Sequence, residues 1–143
     1  MQIVGAFAGV ASANVMLGLP AFLPSGHARD GWPLLLSECI ATLGLILVIA
    51  AGIEFHKSAV PYAVAAYITS AYWFTSSTSF ANPAVTIARA ATDTFTGIRP
   101  RDVPAFIAAQ MAGVAIAIPM WQWLRQPSSK AAEETQSLGK AAK

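Results

Sequence analysis

The sequence predicts an all-α membrane protein that consists of four transmembrane helices and one re-entrant half-helix. Composition is the first observation: 55% of the 143 residues are hydrophobic and only 11% are charged, whereas soluble domains carry about 25% charged residues. The second is that four stretches are nearly free of charge and approach the ~20 residues that a helix needs to cross the hydrocarbon core. These stretches are residues 2–23, 34–53, 58–75 and 103–124.

Tryptophans mark the ends of three of these spans. Trp32 comes just before the second span, Trp73 lies at the end of the third, and Trp121 and Trp123 lie at the end of the fourth. Tryptophan is enriched where a membrane meets water. The placement therefore favours a membrane domain over residues 1–124.

The charges outside the spans predict the orientation of the chain. Four spans place both termini on one side, where basic residues are in excess, and cytoplasmic loops carry such an excess. The tail, residues 125–143, is therefore predicted to be cytoplasmic, and its polar composition predicts disorder. The basic residues on the tail side are Lys57, Arg125, Lys130, Lys140 and Lys143, those on the other side are Arg29, Arg99 and Arg101, and Arg89 is left unassigned.

The composition also excludes several function classes. Cys39 is the single cysteine, which excludes an internal disulfide and a cysteine metal cluster, and we expect it to be a packing residue. The net charge of +2 is small and scattered, so nucleic-acid binding is not expected. His27 and His56 lie far apart in connections, and no catalytic, metal-ligand or phosphate-loop pattern is found. We expect no enzyme activity, no metal and no cofactor.

A polar segment, residues 76–95, separates the third span from the fourth. Asn82 suits a helix cap and Pro83 the first helical position, so a short helix is predicted over residues 83–91. At ~1.5 Å per residue it covers about 14 Å, half a bilayer. Irregular backbone at membrane depth is tolerated only beside protein or a watery cavity. The segment is predicted to be a re-entrant half-helix that begins at a pore, and the alternative is an exposed polar loop.

The sequence FANPAVT, followed by a span that contains Gln-x-x-Gly from Gln110, resembles the major intrinsic protein family of aquaporins and solute channels. The resemblance covers residues 2–124. In that family six spans form two inverted repeats, and two Asn-Pro-Ala ends meet at the middle of the bilayer. It implies that Asn82, Pro83 and Ala84 lie at a pore centre, where half-helix dipoles help to exclude protons and cations.

The resemblance also gives Glu38 an expected role. The family keeps a buried glutamate near this position, and a buried carboxylate can accept hydrogen bonds from the unpaired N–H groups of the loop before the half-helix. Alternatives are a proton-coupling group or a helix-packing residue, because intramembrane carboxylates are commonly functional.

The chain departs from the family pattern in its extent. The first two family spans and the first half-helix are not in this sequence, and residues 2–20 resemble the third family span. The bundle is therefore expected to be an incomplete aquaporin-like one. Three explanations stay open: a truncated product, a mis-called start, or half of a split protein.

A second departure concerns selectivity. In water-selective relatives an arginine comes three positions after the motif asparagine, and here that position is Val85. The other filter positions correspond to Ser70 and Ser79. Without arginine and histidine, the constriction is expected to be wider, less polar and without a fixed cation. Arg89, one helical turn after Val85, is expected to reach an outer vestibule and pair with Asp93, or else to act as an interfacial anchor.

These features predict a passive channel, or a channel fragment, for water, polyols, urea or neutral metalloid hydroxides of the arsenite type. The subgroup that the pattern resembles is bacterial, which implies an inner-membrane location. Expected partners are the lipid bilayer, small neutral solutes, and either further copies (a tetramer by resemblance) or a chain that supplies the first repeat. Rival hypotheses are a non-conducting fragment and a four-span proton-coupled exporter that uses Glu38.

Overall fold

The computed structural model describes residues 1–126, and this part of the chain is helical without strands. The two one-turn 3₁₀ helices, Lys57–Ala59 and Pro100–Asp102, lead directly into α3 and α5. Of the predicted tail, only Arg125 and Gln126 belong to the described residues. The helices are α1 (Gln2–Met16), α2 (Trp32–Phe55), α3 (Val60–Phe74), α4 (Pro83–Arg89) and α5 (Val103–Leu124).

Proline in the first turn is a shared feature of α2, α3, α4 and α5. Proline suits this position because its missing N–H would have no helical acceptor there anyway. The predicted spans 34–53, 58–75 and 103–124 overlap α2, α3 and α5 closely. The half-helix was expected over residues 83–91, and α4 ends two residues earlier, at Arg89. The prolines are Pro33, Pro61, Pro83 and Pro104.

The first predicted span is wrong at its C-terminal end. Residues 2–23 were expected to be one helix, but α1 ends at Met16. Gly18 adopts a left-handed φ of 73°, and Pro20 cannot continue the helical hydrogen-bond ladder. The helix of 15 residues is about 22 Å long, less than the ~30 Å of a hydrocarbon core.

The longest helices, α2 and α5, form the central pair of the fold. α3 packs on α2, while α1 packs on α4, which also contacts α5. Gly113 of α5 permits the close approach, because a Cβ there would lie 2.5 Å from the carbonyl oxygen of Cys39 in α2. By length and composition, α2 and the segment Pro100–Leu124 are able to cross a membrane.

The apolar core joins the loops on either side of the half-helix to the first turns of the central helix pair. Phe80, Ile98 and Phe106 are buried together, and the rings of Phe80 and Phe106 have centroids 5.4 Å apart. Many large apolar side chains elsewhere are exposed, as expected of helices that face lipid rather than water. Examples are Tyr62, Trp73 and Trp123.

Candidate functional site

The half-helix α4 begins at a capped asparagine. Asn82 has extended backbone, and its Oδ1 accepts a hydrogen bond from the N–H of Ala84 at 2.8 Å. Pro83 follows at the first helical position. The resulting helix start borders an open space of about 480 Å³ that the N-terminal residues of α1 also line. The Asn-Pro-Ala motif therefore forms an ordered helix start beside a cavity.

The loop before α4 has strained backbone. Thr78, Ser79 and Ala81 adopt left-handed φ angles of 60°, 46° and 46°, which costs about 1–2 kcal/mol per non-glycine residue. The buried carboxylate of Glu38 accepts hydrogen bonds from the N–H groups of Phe80, at 3.2 Å, and Ala81. Because charge-assisted bonds are the stronger ones, Glu38 helps to hold a loop shape that is unfavourable by itself.

A buried polar chain continues from Glu38 to the half-helix. The side-chain amide of Gln110, from α5, donates to Glu38 Oε1 at 2.9 Å and to Thr86 Oγ1 at 2.8 Å. The Thr86 hydroxyl in turn donates to the carbonyl of Asn82 at 2.9 Å. Thus α2, α4 and α5 are joined through one network. The sequence analysis used Gln110 only as part of the Gln-x-x-Gly pattern and did not predict this bridge. The signal that could have indicated it was a lone glutamine in an apolar span.

Arg29 is a structural residue that the sequence reading missed. Its side chain is 4% exposed and donates to the carbonyls of Gly97 (2.7 Å), Ser77 (2.9 Å) and Phe95 (2.8 Å). It thereby ties the loop that carries it to both sides of the half-helix. Its partners lie 48 to 68 residues away in sequence, so no local pattern could identify them.

The guanidinium of Arg29 also stacks over Phe80, with Cζ 4.8 Å from the ring centroid. Burial lowers the pKa of Arg29 from its usual value, and electrostatic interactions with Tyr72 and Glu38 oppose that effect. Arginine remains charged in proteins even when its pKa falls. A fixed positive charge therefore lies beside the half-helix.

A groove of about 400 Å³ runs between α1 and α4, and we call it the α1–α4 groove. Small side chains form its α1 wall, while threonines and a phenylalanine from the segment after α4 close one end. The lining residues are Ala6, Gly9, Val10, Ala13, Asn14 and Leu17 from α1 and the residue after it, Val85, Ala88 and Arg89 from α4, and Thr92, Thr94, Phe95 and Thr96.

The three predicted filter residues do not meet in this groove. Val85 lines it. Ser79 is buried in the strained loop, and its hydroxyl has no partner among residues 1–126. Ser70 is exposed on α3 and donates to the carbonyl of Ala66 at 2.9 Å, within its own helix.

The expected pair between Arg89 and Asp93 is not formed. Asp93 instead accepts from the N–H of Gly26 at 2.8 Å, and no ion pair joins it to Arg89 within 4.0 Å. The expectation assumed one continuous helix, but α4 ends at Arg89, so residues four apart no longer share a face. The Arg89 guanidinium lies over the ring of Phe80, at 4.2 Å from its centroid.

The chain is similar to a channel protein of known kind. It is 49% identical over 134 residues to the aquaglyceroporin AqpS of Rhizobium meliloti (strain 1021), a match that covers 94% of this chain. The chain spans 58% of the length of that relative. No family model matches, and no solved structure is significantly similar. The Asn-Pro-Ala half-helix and this similarity together support the assignment of the chain to the major intrinsic protein family.

Proposed function

We propose that the chain forms part of a passive channel for small uncharged solutes. The similarity to an aquaglyceroporin carries this proposal. Its support in the chain is the α1–α4 groove of about 400 Å³, a volume within the usual range of small-molecule sites, ~300–1,000 Å³. Candidate solutes are water, glycerol and other polyols, urea and neutral metalloid hydroxides of the arsenite type.

The groove has a mixed lining that suits solutes of this kind. Asn14 and Thr92 are buried at one end of the groove, where the Thr92 hydroxyl donates to Asn14 Oδ1 at 2.6 Å. Val85 and most of the α1 side chains are apolar, whereas the half-buried Thr94 and Thr96 contribute hydroxyl groups. A solute with hydroxyl groups can exchange hydrogen bonds with such groups while its carbon skeleton lies against the apolar wall.

Glu38 is proposed to have a structural role rather than a proton-coupling one. Its two carboxylate oxygens accept from two loop N–H groups and from the Gln110 amide. A proton carried to and from this carboxylate would break the bonds that hold the strained loop. The exporter hypothesis therefore conflicts with the role that these contacts support.

We also propose that a further protein surface completes the solute path along the α1–α4 groove. Within the described part of the chain the groove lies beside an α1 face on which Ile3 and Val4 are exposed. A second surface could be another copy, or a polypeptide that supplies the other repeat. We place this assembly in a bacterial inner membrane, with four spans and the C-terminus in the cytoplasm.

Reconstitution into liposomes tests the proposal. Stopped-flow light scattering would follow swelling in glycerol and urea gradients, for the chain alone and together with the segment of the Rhizobium relative outside the aligned region. We expect flux from the pair above that of empty liposomes, unchanged by a proton gradient, and no selective flux from the chain alone. Absence of flux in both would refute the channel. Flux that requires a proton gradient would favour the exporter.

A further inference from the structure

We infer that Arg89 is the hydrogen-bond donor that contacts the solute in the α1–α4 groove, and that it favours oxygen-bearing neutral solutes over cations. The inference deepens the proposed function of the same groove, and its flux consequences rest on that function. Contact between Arg89 and a solute does not require conduction, so the two can be tested separately.

The first step is that the donors of Arg89 are unused. Within residues 1–126 its guanidinium makes no hydrogen bond and no ion pair, and its Nη1 is buried without a partner. Arg29 provides the internal contrast, because its donors are taken by three loop carbonyls. A guanidinium has five N–H donors and no acceptor, so an acceptor is required at Arg89.

The second step is that the guanidinium is held at the groove. Arg89 lines the groove together with Val85, four residues before it and therefore on the same face of α4. The ring of Phe80 lies 4.2 Å from Arg89 Cζ and is itself buried against Phe106. Stacking on a ring leaves the N–H groups free, because they point outward in the guanidinium plane. Phe80 thus fixes the group without using its donors.

The third step concerns charge. Arg29 and Arg89 both lie within 5 Å of the centroid of the Phe80 ring, and no carboxylate lines the groove. Asp93 lies nearby in sequence but accepts from Gly26, and Glu38 is engaged with the loop. A cation in the groove would meet the positive charge of Arg89 at low dielectric, and the Arg29 charge, which does not line the groove, lies close to the same Phe80 ring. A neutral solute with a hydroxyl or carbonyl oxygen would instead supply the missing acceptor.

Chemical modification tests the contact directly in the full chain in liposomes. Methylglyoxal, a small reagent for guanidinium groups, would be applied with and without about 1 M glycerol as a competitor. The modified residues would be identified by mass spectrometry. We expect Arg89 to react with methylglyoxal and glycerol to slow this reaction, whereas dextran, a polymer too large for a groove of about 400 Å³, does not. Arg29 should stay unmodified, and the exposed Arg101 should react at a rate that glycerol does not change.

An unreactive Arg89 would overturn the inference. So would a rate at Arg89 that glycerol leaves unchanged, or that dextran lowers equally. A merely structural anchor on Phe80 predicts one of these results. If glycerol protects Arg89 but no reconstitution conducts, the proposed channel function fails while the contact stands.

Solute flux in the liposome reconstitution that conducts tests the selectivity that we infer for Arg89. Arg89→Gln should lower glycerol permeability by about tenfold, the effect of losing one bond to a charged donor, and should raise methylammonium permeability. Arg89→Lys keeps the charge but not the planar fork, so it should preserve cation exclusion and lose part of the glycerol flux. Arg101→Gln is the matched control and should match the wild type. Wild-type permeabilities in Arg89→Gln would overturn the inference.

Discussion

Replacing Glu38 by glutamine removes one buried negative charge at nearly constant volume, and the structure allows its effect to be worked out bond by bond. The carboxylate accepts from the N–H groups of Phe80 and Ala81 and from the Gln110 amide. A glutamine side chain has one acceptor oxygen and one NH₂ group. It can therefore satisfy one loop N–H with a neutral bond, while its NH₂ faces the other.

The expected loss of stability follows from these changes. Converting a charge-assisted bond into a neutral one costs about 1 kcal/mol, and one buried unsatisfied N–H costs about 1–3 kcal/mol. Glu38→Gln should therefore lower the free energy of unfolding by about 2–4 kcal/mol. The strained backbone of Thr78 and Ser79 is the same in the wild type and in the variant, so it does not change this difference in stability. Its strain is released in both proteins when the loop detaches.

The assay is equilibrium unfolding in mixed micelles, followed by circular dichroism, for the wild type and the variant. Glu54→Gln is the matched control, because Glu54 pairs with Arg125 at 3.1 Å on the surface, where both side chains are more than a third exposed. Such pairs contribute about 0–1 kcal/mol. Equal small effects of the two substitutions would refute the reasoning. Loss of proton-driven transport in Glu38→Gln, with stability intact, would instead favour the exporter.

Three further predictions concern other parts of the site. Arg29→Gln should destabilise the fold by at least about 3 kcal/mol, because three charge-assisted bonds to loop carbonyls are lost. The same unfolding assay measures this loss, and stability near the wild-type value would contradict the structural role of Arg29. Gly113→Ala should cost about 1–3 kcal/mol, because the added Cβ meets the carbonyl of Cys39, whereas Gly9→Ala, with open space around it, should be neutral or slightly stabilising. In the completed pore, Val85→Arg should narrow the groove and raise the ratio of water to glycerol permeability in the swelling assay, and unchanged permeabilities for both solutes would contradict this.

The start of the half-helix could be predicted because its signals are local. Pro83 stands in the first turn of α4, and Asn82 supplies the cap of this helix. Each signal acts through backbone geometry within four residues, which a single sequence contains in full. Hydrophobicity is less informative about where a helix ends: the run beyond Met16 stays apolar, but the chain turns at Gly18.

The contacts that position the half-helix were harder to predict. Glu38 was expected to face the loop only because of the family resemblance, and Arg29 was read as a charge on one side of the membrane. Both bind backbone atoms at least 42 residues away. Backbone N–H and C=O groups carry no residue-specific signature, so a sequence cannot indicate which side chain will bind them.

The two charged residues act on opposite backbone groups of the same region. Glu38 accepts from loop N–H groups that come before α4, and Arg29 donates to carbonyls on both sides of it. A buried non-helical segment needs both, because water cannot reach it to bind either kind of group. The backbone on both sides of the half-helix is therefore held by one charged acceptor, Glu38, and one charged donor, Arg29.

This support lies on a different face of α4 from the α1–α4 groove. Thr86 is fully buried and joins the Gln110 network, while Val85 and Arg89 line the groove. Substitutions on the Thr86 side should therefore act mainly on folding, and those on the groove side mainly on which solutes pass. A Thr86→Val and Arg89→Gln pair would then show independent effects, with the stability loss of one and the permeability change of the other combining additively. Strong coupling in either measurement would mean that the same residues both build the half-helix and select the solute.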